Sequence, residues 1–153
     1  MAPRTSIGSS PMSEGLMAAH NLRVVLDTNV VVSSFWGGNP KRVLDRWKTG
    51  HLTLLISLPI LEEYLAVLAR LGFTEVQLKE EGLLFLQSPT TSLIHPTRNF
   101  QEIPADPSDN KFLDCAVEGK AVAIVSGDKH LLNLKAFQDI PILTPADFLK
   151  QHA

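Results

Sequence analysis

The 153-residue chain is 44% hydrophobic and carries 14 Lys and Arg against 16 Asp and Glu, for a formal net charge of -2. That length and apolar content suit a single domain with a substantial core, and the charge balance does not announce a nucleic-acid binder as a strongly basic chain would, nor does it exclude one. No apolar run approaches the roughly 20 residues of a membrane-spanning helix, no continuous apolar segment marks a secretory signal, and the single cysteine, Cys115, cannot close an internal disulfide, so a soluble cytoplasmic protein is expected.

Residues 1–20, MAPRTSIGSSPMSEGLMAAH, are rich in Ser, Gly, Pro and Met without a period of 2 or 3.6. They are expected to form a flexible tail, leaving 21–153 as the folded domain. The run RVVLD, from Arg23, is apolar and β-branched, as in a parallel strand buried on both faces, and it ends at Asp27. A loop with Gly37, Gly38 and Asn39 leads to Pro40, which suits the first turn of a helix reaching about Thr49, with Gly50 as its stop. A second strand is expected at LTLLIS, 52–57, before Pro59 opens the helix PILEEYLAVLARL, stopped by Gly72.

A third amphipathic helix at about 75–87 precedes a strand at SLIH, 92–95, and the three prolines of 96–108 predict a long surface loop. A helix from Asp109 to about Glu118, the strand AVAIV at 121–125, a short helix from about Asp128, a short strand near Ile140 and a helix from Pro145 complete the chain. Strands alternating with helices predict an α/β fold, an open and mostly parallel sheet of about five strands covered by helices on both faces.

In such sheets ligands bind beyond the carboxyl ends of the strands, where Asp27 and Asp128 stand. Asp27 closes an apolar strand, and Gly127 is expected to allow the sharp exit from the strand before Asp128, which is also well placed to cap the helix KHLL. In PILEEYLAVLARL, Ile60, Leu61, Tyr64, Leu65, Val67, Leu68 and Leu71 define one stripe; Glu62 points roughly 150° from its centre and Glu63 only about 110°. Glu63 is therefore the inner acid of the pair. In DNKFLDCAVE, Asp109 lies within roughly 20° of the stripe formed by Phe112, Leu113, Cys115, Ala116 and Val117, whereas Asp114 is about 150° away. An inward Asp at a helix start can also be a cap.

LDTNV at 26–30, the LEEY helix, DPSDNKFLDCA at 106–116 and VSGDKHLL at 125–132 resemble, in order, the motifs of the PIN-domain family and in particular its bacterial toxin-like branch. The likeness runs from about Arg23 to Phe148 and leaves the N-terminal tail outside. It implies a central parallel sheet and an acidic site of Asp27, Glu63, Asp109 and Asp128, with Asn29 and Ser126 orienting the carboxylates and Asp106 and Asp114 as extra acids. It also implies Mg²⁺- or Mn²⁺-dependent cleavage of RNA, often as the toxin of a toxin–antitoxin pair.

Two carboxylates about 4 Å apart repel by roughly 4 kcal/mol at an effective dielectric of 20, a penalty that one or two divalent ions remove. All-oxygen ligation suits hard Mg²⁺ or Mn²⁺ better than zinc, and His130 reads as a surface residue. Lys41, Arg42, Arg46 and Lys48 are candidates for holding the RNA backbone, against which stands a solvated helix face with a Lys41–Asp45 pair. A phosphatase of the haloacid dehalogenase type would need an Asp where Asn29 stands, and a non-catalytic PIN module for RNA or protein contacts is the alternative to a nuclease. A homodimer and a small antitoxin partner are expected from the likeness, with Leu83, Leu84, Phe85 and Leu86 exceeding one buried stripe as the local hint.

Overall fold

The computed structural model describes residues 22–97 and 109–153; the expected tail and most of the 96–108 loop, Asp106 included, lie outside them. Short runs that are apolar at every position make the middle of the sheet: β1 (Arg23–Leu26), β2 (Thr53–Ile56) and β4 (Ala123–Val125) are buried on both faces, apart from the first residue of β1. With β3 (Thr91–Leu93), β5 (Ala136–Phe137) and β6 (Ile140–Leu143) they form one sheet of 6 strands in the order β3-β2-β1-β4-β6-β5. Every neighbouring pair is parallel except β5 and β6. Val24 lies between Leu54 and Ala123, so β1 is central.

Among the described residues seven α-helices connect and flank the strands: α1 (Thr28–Ser33), α2 (Gly38–Lys48), α3 (Leu58–Arg70), α4 (Glu75–Gln87), α5 (Asn110–Glu118), α6 (Lys129–Leu132) and α7 (Pro145–Gln151). The chain steps outward from β1 through β2 to β3, then returns across the sheet to β4. Right-handed crossovers therefore put α2, α3 and α4 on one face and α5 on the other. The aromatic residues bind the first layer to the sheet edge. Trp47 stacks on Phe85 at 5.2 Å, and its indole N–H donates to Thr91 Oγ1 at 3.0 Å while Thr90 Oγ1 donates to the Trp47 carbonyl at 2.8 Å. A buried tryptophan thus keeps its polar atom satisfied.

Two features differ from the sequence reading, the segment after Asp27 and the number of strands, whereas the leucines of α4 exceed one buried stripe as expected. The segment after Asp27, expected as a loop, is α1 followed by a turn of 3₁₀ helix at Ser34–Trp36. The carbonyl of Asp27 accepts the N–H groups of Val30 and Val31, and burial of those two valines outweighs their β-branched preference for strand. The sheet has 6 strands instead of about five, because β5 and β6 form a tight hairpin. On α4 only Phe85 turns into the core; Leu83, Leu84 and Leu86 are exposed. Among the described residues no helix is long and apolar enough to cross a membrane.

Candidate active site

The order of the sheet reverses between β1 and β4, and there the chain leaves both strands at their carboxyl ends, which is where open α/β sheets bind ligands. Asp27 follows β1 directly, held by its N–H to the Val125 carbonyl at 2.9 Å. It is 3% exposed. Ser126, the residue after β4, is wholly buried and donates its hydroxyl to Asp27 Oδ2 at 2.7 Å. The same Ser126 oxygen accepts the backbone N–H of Asp128 at 2.9 Å, so one side chain fixes the spacing of two aspartates from different strands.

Burial pushes the Asp27 carboxyl up from an ordinary 3.8 to about 6; the Ser126 hydrogen bond pulls it back in part, and the neighbouring Asp128 and Glu63 carboxylates push it further up. Asp27 thus feels both neighbouring carboxylates. Asp128 also accepts the His130 N–H at 2.8 Å and so caps α6, the alternative role that its position allowed. Gly127, by contrast, does not take up a positive φ and a Cβ there would meet nothing within 4 Å, so the exit from β4 does not require glycine.

Glu63 is in the second turn of α3, which starts after Ser57. Its neighbour Glu62 is exposed, as the helical arithmetic orients it, while Glu63 is partly buried. It accepts the Thr28 hydroxyl from the start of α1 and pairs with the Lys111 ammonium of α5 at 2.5 Å. Neither Thr28 nor Lys111 stood out in the sequence. Thr28 lies inside LDTNV and was open to notice; Lys111 was not, because at 100° per residue it points roughly 200° away from Asp109 on its own helix.

Asp109 is 5% exposed at the first turn of α5 and makes no side-chain cap to that helix, whereas Asp114 is half-buried. Asn29 is exposed on α1 and lines a cavity of about 320 Å³ with Ser33, Asn39, Gly127 and Thr144, beside the Asp27–Asp128 pair. Of the candidate RNA contacts, Lys41 pairs with Asp45 at 2.8 Å, Arg46 donates to the His152 carbonyl beyond α7, and Arg42 and Lys48 are exposed.

The donors here are carboxylates and hydroxyls, the chemistry of a hard divalent cation. Among the described residues, however, no group of three or more His, Cys, Asp or Glu side chains is arranged to hold an ion. The positive charge beside Glu63 comes from Lys111, and a cation shared with Asp27 requires Glu63 to turn from that ammonium.

Residues 23–130 match the PIN domain family. The chain is also 34% identical over 126 residues to the uncharacterized protein MJ1680 of Methanocaldococcus jannaschii, covering 74% of this chain and 76% of the relative. PIN domains are generally nucleases, and the matched segment spans β1, α3, α5 and the end of β4, from which the site is built. This chain belongs to the PIN-domain family.

Proposed function

We propose that the protein is an Mg²⁺- or Mn²⁺-dependent endoribonuclease that hydrolyses RNA phosphodiester bonds and serves as the toxin of a type II toxin–antitoxin pair. One observation carries the catalytic part. Asp27, buried at the switch point of the sheet and joined to Asp128 through Ser126, has no cationic partner among the described residues, and its carboxyl is raised first by burial and then by the Asp128 and Glu63 carboxylates, so this end of the site is short of positive charge. A structural site would relieve that penalty with apolar residues, whereas a metal-dependent one needs it. Asp27, Glu63, Asp109 and Asp128 would hold the ion.

Bound there, it would supply Lewis acidity and a water nucleophile near neutral pH. The chain's own residues do the positioning. Ser126 fixes Asp27 and Asp128 together, Thr28 and Lys111 hold Glu63, and the cavity lined by Asn29 and Ser33 opens beside them for the strand to be cut. The toxin assignment rests on the order of the acidic motifs, and the exposed Leu83, Leu84 and Leu86 of α4 offer apolar surface for a homodimer or a small antitoxin.

The ion pair of Glu63 with Lys111 favours one other reading, a PIN fold kept for RNA or protein contacts with its acids neutralised from within. Cleavage assays separate the two. RNA should be cut in Mg²⁺ or Mn²⁺ and spared in EDTA, and sequencing of RNA ends after induced expression should name the sites. Asp27→Asn, Glu63→Gln, Asp109→Asn and Asp128→Asn should each lose most activity, while Glu62→Gln and Asp114→Asn keep most of it. RNA binding with no cleavage in either metal would establish the non-catalytic module, and undiminished cleavage in EDTA would remove the metal from the mechanism.

A further inference from the structure

The two tryptophans of the chain have opposite fates. Trp47 is 1% exposed, but Trp36 is 69% exposed, at the end of the 3₁₀ turn that continues α1. Its backbone is held on both sides. Phe35 packs edge-on against Phe73 at 5.1 Å and 78°, and Gly37 closes the turn at φ 92°. A large flat side chain is thus presented to solvent from a fixed support, which keeps the entropy cost of using it low.

Its place is also informative. α1 starts beside Asp27, and six helical residues followed by three in 3₁₀ geometry span about 15 Å. Ser33 and Asn39, on either side of the turn, line the cavity next to the acidic site. Arg42 lies one turn after Asn39 and one turn before Arg46 on α2, on the face that meets the chain beyond α7; it is exposed and, among the described residues, in no ion pair. Neither Trp36 nor Arg42 lines the cavity, but Trp36 lies three residues from both Ser33 and Asn39, which do, and Arg42 lies three residues from Asn39.

We propose that Trp36 is a base-stacking platform for an RNA strand bound a few nucleotides from the cut and that Arg42 holds the adjoining phosphate. The inference rests on the nuclease reading for the cut, though not for the binding. Bases within a duplex have no free face to offer, and a chain of net charge -2 draws less affinity from backbone charge than a basic binder does, so stacking carries a larger share.

The test uses the full chain in EDTA at low salt, with a labelled single-stranded oligoribonucleotide and the same sequence as a duplex. Tryptophan emission should be quenched by the single strand and hardly by the duplex, because Trp47 is shielded. Trp36→Ala should weaken single-strand binding about tenfold or more, as loss of a base–aromatic stack does, while Trp36→Phe keeps most of it and the melting temperature of both stays near that of the unmodified protein. Equal binding by Trp36→Ala, no binding of single strands at all, or a change of solution mass on Trp36→Ala that marks the residue as a protein contact would each overturn the proposal. If stacking holds but Mn²⁺ elicits no cleavage, the platform stands and the nuclease reading falls.

Discussion

At the scale of single residues, Asp27 links pH to stability. Its carboxyl titrates near 6 in the fold and near 3.8 when the chain is open, so the folded state binds the proton more tightly. The fold therefore holds its full advantage below about pH 4 and loses it as pH rises through 6, by on the order of 3 kcal/mol. In EDTA, Asp27→Asn should match the unmodified protein in urea unfolding at pH 4 and exceed it at pH 7.5; a gap that ignores pH would refute the linkage. Lys111→Met tests the other carboxylate. Without that ammonium a bound divalent ion is the remaining counter-charge to Glu63, so the metal-free protein should melt earlier and gain more from Mn²⁺ than the unmodified one. Cys115, wholly buried with its thiol pushed up to about 12, should resist thiol reagents until the chain unfolds. What was legible here followed from periodicity: it turns Glu63 and Asp109 inward and Glu62 outward. Lys111 was illegible because its partner is 48 residues away on another helix, and no local pattern encodes that meeting.

At the scale of elements, the long periodic helices and the apolar strands were readable, and their ends fall close to the caps and prolines that mark them. Thr74 and Gln77 form a reciprocal capping box at the start of α4, and Pro59 lies in the first turn of α3. The short elements were not readable. In α1 a run of valines is helical only because Asp27 and the core fix it, and the β5–β6 hairpin turns on Gln138 and Asp139, both at positive φ, where Asn-Gly would have signalled a tight turn. That mismatch is testable. Replacing Gln138 and Asp139 by Asn and Gly should raise stability by about 1 kcal/mol, seen as a melting temperature roughly 2–4 °C higher. An unchanged melt would mean that the turn is not under strain. Gly119 gives the opposite case: a Cβ there would stand 2.8 Å from Leu55 Cδ1, so Gly119→Ala should destabilise the seam between α5 and β2.

At the scale of the whole molecule, the reversal of strand order brings Asp27 and Asp128 from two separate stretches of chain to one end of the sheet, with Glu63 close enough to act on Asp27. If a divalent ion joins them, Mn²⁺ at about 100 times its dissociation constant should add about 2.7 kcal/mol, or roughly 5–10 °C in the melt, and Asp27→Asn should abolish most of the gain. A melt indifferent to Mn²⁺ would speak against the site. The same topology also sets the order of events at synthesis. The central strand β1 is made first, yet its second neighbour, β4, arrives about 100 residues later. At about 5–20 residues per second, the ribosome needs roughly 5–20 s to deliver it. Through that interval Val25 and Leu26 lack the strand that covers one of their edges, and Asp27 lacks Ser126. A nascent chain thus carries an incomplete site on its own ribosome until nearly the last stretch has emerged, and is exposed to chaperones and proteases for as long.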